Sequence, residues 1–252
     1  MYVKFFQTEA NSYLTILKTN LKANNSLIYV NAYFYSHNFM TPKERAGKII
    51  AVFEKQNPDA ATELVYTNPF ELLVSVILSA QCTDKRVNHV TPGLFAKYPT
   101  SFSMAKATSD ELFPFIRSIS YPNNKAKHLA GMARMLVEKH QGEVPGEIEQ
   151  LKMLPGVGQK TANVIASVIF NTPAMPVDTH VFRVSARIGL TRNAKTPEQA
   201  EKQLVRIIPR EKLSVAHHWL ILHGRYVCKA RKPLCGSCYI NQYCKYVEKN
   251  NY

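Results

Sequence analysis

Several things are scarce or missing in this chain, and each narrows what it can be. No apolar run approaches the roughly 20 residues a bilayer span needs, and no basic amphipathic stretch dominates, so neither crossing a membrane nor lying on one is expected. Acidic residues are few: 18 Asp and Glu face 32 Lys and Arg, for a formal charge of +14. With the membrane set aside, that excess favours a polyanionic partner, and nucleic acid first. Cysteine is almost absent outside one stretch. Cys82 stands alone, whereas Cys228, Cys235, Cys238 and Cys244 fall within 17 residues. Nor is there a basic stretch followed by an apolar core at the start, so a secreted disulfide framework is not expected, and clustered thiols point to a metal centre. Tandem repeats and low-complexity tracts are also lacking, which excludes a solenoid. What remains is a chain of 252 residues, 46% hydrophobic, able to bury a sizeable core in one domain or two modest ones.

The chain divides by composition near residue 40. Residues 1–39 are rich in Asn and Tyr, carry only short interrupted apolar patches and contain no motif. Met40-Thr-Pro-Lys-Glu, by contrast, opens a helix, with Thr41 as cap, Pro42 in the first turn and Glu44 reaching back. Beyond it one helix pattern follows another, and the fold class is all-α. Asn68-Pro69 opens an apolar segment, Phe70 to Ala80, whose length and lack of partner strands favour a core helix over a strand. Thr108-x-x-Glu111 and Thr196-x-x-Gln199 read as capping boxes before helices near 109–118 and 197–206. Two longer helices are expected over 123–140 and 211–226, the second with Val215, Trp219, Leu222 and Tyr226 on its buried stripe. His217, His218 and His223 lie on that helix; with no acidic or cysteine partner at ligand spacing, they read as core residues rather than zinc ligands.

Two motifs carry chemistry. In Leu154-Pro-Gly-Val-Gly-Gln-Lys160, Gly156 and Gly158 flank Val157, and each is free to take positive φ, turning the backbone sharply and leaving its amides uncovered. Apolar residues from Ala162 onward recur at helical spacing, so those amides stand at a helix start suited to a phosphate. About ten residues of helix carry the chain some 15 Å away, and seven extended residues span up to about 23 Å. Asp178 can therefore return beside Lys160. The same residues also fit a plain capped helix pair in which Asp178 is only an N-cap. The second motif is Cys228-x6-Cys235-x2-Cys238-x5-Cys244, which suits tetrahedral zinc or a cubane iron-sulfur cluster, and spacing does not choose between them. Five basic residues and no acidic one lie between Arg225 and Lys245, so the loop is expected to offer Arg231 and Lys232 to phosphates.

Taken together, the Leu-Pro-Gly-Val-Gly-x-Lys hairpin, the Val-Asp-Thr-His placing Asp178 eighteen residues after Lys160, and the six-two-five cysteine spacing resemble the endonuclease III family of helix-hairpin-helix DNA glycosylases. The resemblance covers roughly residues 40–252. It implies a [4Fe-4S] cluster on the four cysteines and two helical domains flanking a DNA-binding cleft. One domain is discontinuous, 40–61 with 173–252, and the other is a six-helix domain, 62–172, that contains the helix-hairpin-helix. It implies a monomeric base-excision repair enzyme acting on double-stranded DNA with damaged bases or abasic sites, cytoplasmic, and nucleoid-associated in a bacterium. Lys160 is then the nucleophile, its amine requiring burial or a positive helix start to be neutral at pH 7. Asp178 handles protons and steadies the positive sugar. Gln81 matches the position that fills the gap left by an extruded nucleotide, and Tyr121, followed by Pro122 where the family has a Leu-Tyr or similar pair, stands at a second such position. Cys82 reads as a small buried apolar residue. Two other readings stay open: a monofunctional glycosylase of the adenine-mismatch type, against which Lys160 speaks, and a noncatalytic helix-hairpin-helix DNA-binding protein. Met40 is expected to be an alternative or true start, and the mass of the product of the native gene checks this; a full-length product alone would refute it.

Overall fold

A computed structural model describes residues 40–246. The extension expected over 1–39, and with it the question of the start, lies outside the described residues. Among those residues the chain is helical, with no strand, and forms eleven α-helices. They are α1 (Pro42–Gln56), α2 (Pro69–Ser79), α3 (Asp84–Lys97), α4 (Ser101–Ala105), α5 (Ser109–Ile116), α6 (Pro122–His140), α7 (Ile148–Met153), α8 (Gln159–Phe170), α9 (Thr179–Ile188), α10 (Pro197–Ile207) and α11 (Leu213–Tyr226). Short 3₁₀ turns occupy Arg210–Lys212, Cys235–Ser237 and Asn241–Tyr243. Seven helices fall between residues 62 and 172, one more than expected. The short α4 accounts for the difference: Thr100 caps it reciprocally with Ser103, a threonine and serine pair that serves as a capping box without a glutamate.

Local chemistry explains where these helices begin. Asn68 accepts from the Glu71 amide at 3.0 Å, and the Glu71 carboxylate accepts in return from the Thr67 amide at 2.7 Å. That pair starts α2, whose Leu72 to Leu78 are all buried, as a core helix requires. Thr108 and Glu111 close the expected capping box on α5, and bonds donated by the Thr108 backbone amide and hydroxyl hold the Glu111 carboxyl below its ordinary range. At α10 the box closes on one side only. Thr196 accepts from the Gln199 amide at 3.3 Å, but the Gln199 side chain turns to the Lys195 amide at 2.7 Å instead.

The last helix differs more from expectation. It begins at Leu213, after a 3₁₀ turn over the first residues assigned to it. Trp219 is buried, yet Tyr226 is 57% exposed, and the buried face is carried by Leu213, Ala216, His217, Leu220 and His223. Hydrogen-bonded histidines occupy core positions that a hydropathy pattern assigns to the polar side. The His217 Nδ1 lies 2.8 Å from the Pro176 carbonyl, and the His223 Nδ1 lies 3.4 Å from the Tyr239 hydroxyl.

Two buried clusters organise the chain. The first runs from Leu64 to Ala166, through α2 to α8. The second joins α1 to α9, α10, α11 and the cysteine loop. Phe53 of α1 sits within it, stacked on Trp219 at 6.1 Å and meeting His223 and Tyr239 edge-on at 5.4 and 5.9 Å. The Trp219 indole donates to the Asn57 carbonyl at 2.7 Å, and the buried Arg45 guanidinium donates to the Tyr243 carbonyl. The first helix is thus tied to residues nearly two hundred positions away. Replacing Phe53 removes most of a large buried ring and three ring contacts, so Phe53→Ala is expected to cost about 3–5 kcal/mol. Urea unfolding checks this; a loss under about 1 kcal/mol would show that the tie rests elsewhere.

Candidate active site

The hairpin before α8 is built from one left-handed glycine and one open one. After α7 the Leu154 amide donates to the Leu151 carbonyl at 3.1 Å, and the Val157 amide to the Leu154 carbonyl at 3.0 Å. Gly156 turns the chain with φ of +82°, and a Cβ there would lie 2.9 Å from the His128 side chain. Gly158 departs from expectation. It is extended, with φ of −91° and ψ of 179°, and stands as N-cap of α8 with no side-chain cap bond. A Cβ there would meet nothing within 4 Å, so neither backbone conformation nor packing within the chain requires this glycine. Buried Val157 pins the turn to the first cluster. Exposed backbone thus remains at a helix N-terminus, which suits an anion.

Lys160 follows in the first turn of α8, and the chain comes back as predicted. Asn171 ends α8 in the left-handed conformation at φ of 53°, and buried Ala174 to Val177 lead to Asp178. Asp178 is half-buried and caps α9, accepting from the Val181 amide at 2.8 Å. The capping role is therefore present, and it fixes the carboxylate rather than exhausting it. Lys160 and Asp178 line the same cavity, a narrow space of about 50 Å³. Lys160 itself is exposed, so of the two influences named for it the helix start is present and burial is not.

The walls of that cavity come from both clusters. Leu64, Val76 and Val164 supply one side, and His217, His218, Ile221 and Leu222 of α11 the other. Burial holds the His217 imidazole well below its ordinary range, with neighbouring His218 and the Lys160 charge acting in the same direction. Burial alone pushes His218 down to about 4. Both rings are neutral at physiological pH and add no positive charge to the cavity. Asp84, Glu63 and Arg225 complete the lining. The Arg225 guanidinium donates to Asp84 at 2.6 Å and also to Glu63, which in turn accepts from the Tyr226 hydroxyl.

Gln81 and Tyr121 lie outside the cavity, on two adjacent turns. Both are exposed and both are left-handed, with φ of 55° and 56°. The Ser120 hydroxyl donates to the Gln81 carbonyl at 2.8 Å, bringing the turns together. Cys82, beside Gln81, is a half-buried free thiol packed on the first cluster, as a small apolar residue would be.

The four remaining cysteines line one cavity together with Ile188, Val227 and Leu234. Burial pushes the Cys238 thiol up to about 11, the Cys244, Cys228 and Cys235 sulfurs adding to the effect, so this donor set needs a cationic group to hold it as thiolates. Among the described residues no three His, Cys, Asp or Glu side chains converge on a single ion position. His223 lies nearer the group than its sequence position suggested, its Nε2 3.7 Å from the Cys238 sulfur. Arg231 and Lys232 are exposed on the segment entering this loop, and Lys232 is left-handed at φ of 50°. Arg187 fixes that segment, donating to the Lys229 and Ala230 carbonyls at 2.7 and 2.8 Å and approaching the Cys228 sulfur at 3.8 Å.

Sequence reasoning missed Arg187, the His217 and His218 wall, and the Arg225 network. Only Asp84, three residues after Gln81, stands near a motif already singled out. The two glycines give a contrasting prediction. Gly156→Ala should strain the turn by about 1–2 kcal/mol and lower the melting temperature by a few degrees. Gly158→Ala should leave melting unchanged and weaken affinity for a duplex oligonucleotide. Calorimetry and a binding titration check both; the reverse pattern would overturn these assignments.

Comparison with known proteins agrees with this geometry. The family of HhH-GPD superfamily base excision DNA repair proteins matches residues 74–210, and the iron-sulfur binding domain of endonuclease III matches residues 228–244. Endonuclease III of Rickettsia felis is 50% identical over 200 residues, covering 79% of this chain and 93% of the relative. That of Escherichia coli strain K12 is 44% identical over 207 residues, covering 82% and 98%. A solved endonuclease III trapped as a covalent intermediate with DNA superposes with a TM-score of 0.79 at 47% identity, covering 83% of this chain and 99% of its own. The chain belongs to the endonuclease III family of HhH-GPD base excision DNA repair proteins.

Proposed function

We propose that this chain, a DNA glycosylase and abasic-site lyase of its family, removes oxidised pyrimidines from duplex DNA through an imine on Lys160 and then cuts the strand 3′ to the abasic site. One observation carries the reading: the Lys160 amine, in the first turn of α8, and the Asp178 carboxylate, held as N-cap of α9, line one cavity beside an open hairpin. The covalent DNA intermediate of the solved relative supports it, since such an adduct needs a nucleophile on the protein.

The chemistry follows from those two groups. A base within the duplex is beyond reach until its nucleotide is rotated out, at a cost of a few kcal/mol. The Lys160 nitrogen pair attacks the sugar C1′, and the bond to the base breaks, its electrons leaving with the base. Asp178 takes the proton shed by the amine and steadies the positive charge on the sugar. Ring opening gives the imine; loss of a C2′ proton then expels the 3′ phosphate by β-elimination. Lys160 is exposed in the free protein, so bound DNA is what strips water from it. The neutral imidazoles of His217 and His218 add no charge that would repel the developing cation.

The remaining roles belong to the same proposal. Gly156 and Gly158 present amides to a phosphate, and Arg231 and Lys232 add a second phosphate contact. Gln81 and Tyr121 fill the space left by the extruded nucleotide. Cys228, Cys235, Cys238 and Cys244 would hold a [4Fe-4S] cluster, whose contribution there is to cross-link the loop that projects Arg231 and Lys232. The two buried clusters support a discontinuous domain, 40–61 with 173–252, and a second, 62–172. No helix among the described residues is long and apolar enough to cross a membrane. A monomer in the cytoplasm, associated with the nucleoid in a bacterium, fits the family.

Borohydride reduction tests the nucleophile. Wild-type protein should be captured covalently on abasic duplex DNA and Lys160→Ala should not, while retaining its affinity for that DNA within a few-fold. Asp178→Asn should retain capture at a rate lowered by roughly 10²-fold or more. Full capture by Lys160→Ala would overturn the assignment, and no capture by the wild type would favour the noncatalytic or monofunctional reading.

A further inference from the structure

Gln81 and Tyr121 are two of six non-glycine residues that hold the left-handed conformation among the described residues, with φ of 55° and 56°, and they stand on neighbouring turns joined through Ser120. Such residues persist only where surrounding contacts over-determine them, and they concentrate where geometry matters to function. The contacts beside these two meet at Lys125 and Ser120.

Lys125, on α6, is 5% exposed. Its ammonium donates to the Leu78 carbonyl at 2.8 Å and to the Ala80 carbonyl at 2.6 Å. These carbonyls lie at the C-terminal end of α2, where no further helical amide is available and the helix dipole is negative. Ala80 is the residue immediately before Gln81. The Lys125 amide donates to the Tyr121 carbonyl at 3.1 Å, the ordinary first helical bond of α6, so what the ammonium grips on α2 is carried to the Tyr121 turn through the helix itself. Ser120 adds a parallel strut through its 2.8 Å bond to the Gln81 carbonyl. A buried ammonium is costly to keep, and desolvation here pushes it below its ordinary range, with nearby Cys82 acting only partly against this. An apolar residue of the same length would fill the space. It would leave the carbonyls of α2 unpaired and the two turns joined by Ser120 alone.

We propose that Lys125 is a positioning residue that locks the Gln81 and Tyr121 turns to one another before DNA arrives, so that the two side chains enter the emptied stack as a single rigid unit. The proposal rests on the reading of Gln81 and Tyr121 as void-filling residues. Rigidity matters because a loop that must order itself during extrusion adds an entropic cost to the step in which stacking is lost. Lys125 does not line the cavity of Lys160 and Asp178, so its effect should appear only where a base has to leave a duplex.

Two substrates separate these effects. On a single-stranded abasic oligonucleotide nothing needs extruding, and cleavage reports on Lys160 alone; on a duplex with an oxidised pyrimidine, excision reports on extrusion as well. Lys125→Met should lower duplex excision about tenfold and single-stranded cleavage by no more than about twofold. In a background already carrying Gln81→Ala and Tyr121→Ala, Lys125→Met should have no further effect on the duplex, since it acts through those two side chains. Ser120→Ala, a milder removal of the parallel strut, should show the same selectivity at smaller size and stands in if Lys125→Met does not fold. Equal losses on both substrates, unchanged duplex excision, or a full additional loss in the doubly substituted background would overturn the proposal. If the Gln81→Ala and Tyr121→Ala protein excises from duplex as the wild type does, the void-filling reading fails instead.

Discussion

The ion network around Arg225 is the constraint on which the cavity depends. Arg225 belongs to α11, in the second buried cluster, while Asp84 opens α3 and Glu63 precedes α2, beside the first. One guanidinium takes both carboxylates, and the neighbouring Tyr226 hydroxyl takes Glu63 again. Half-buried charges of this kind add little net stability, because desolvation offsets much of the attraction. Losing one partner is a different matter, since it strands the others. The network therefore acts as a register mark: it bridges the two clusters at the cavity that Lys160 and Asp178 share, more than it adds to how tightly they hold.

What the sequence made legible divides along physical lines. Features encoded within a few residues could be read directly: the cap of α5, the turn at Gly156, the cysteine spacing and the return of Asp178 all follow from local stereochemistry or chain reach. Gly158 shows the limit of that logic. A glycine is chosen for conformation or for clearance, and only coordinates show that Gly158 is extended with open space over it. The stripe drawn on α11 through Tyr226 was misplaced, whereas the histidines read as core residues are buried, His217 and His223 satisfied by the Pro176 carbonyl and by Tyr239. Arg187 and Arg225 were invisible for another reason. Their partners lie 42 and 162 positions away, and no spacing rule connects them.

The exposure of Lys160 changes how the proposed chemistry is to be understood. A buried lysine would be held ready as a neutral amine in the free protein. Here the lysine is in water, the carboxylate is already engaged at a helix start, and the histidine wall is neutral. The free protein is thus complete in its fixed parts and lacks only the exclusion of water, which the duplex itself can provide. On that view selectivity and reactivity are coupled: only DNA that closes over the cleft desolvates the amine, and solvent-exposed small molecules do not.

The size of the cavity leads one step further. About 50 Å³ holds a few water molecules and not a nucleoside. Either the sugar and base enter as the walls part, or they occupy the cavity's mouth while only the reacting atoms reach inward. The walls that could part are unequal. Lys160 and Asp178 stand on helix starts backed by buried residues, as do His217 and His218 on α11, so moving them would disturb a packed core. Arg225 and Glu63 are side chains partly open to solvent, held by ionic bonds and by the Tyr226 hydroxyl, which water can replace. Beyond them the space opens into a polar groove of about 710 Å³ that shares Glu63 and Asp84 with the cavity. The network that sets the register between the clusters is thus also the wall that yields at least cost, and an extruded nucleotide entering past it would meet the exposed Lys160 amine and the capped Asp178 carboxylate.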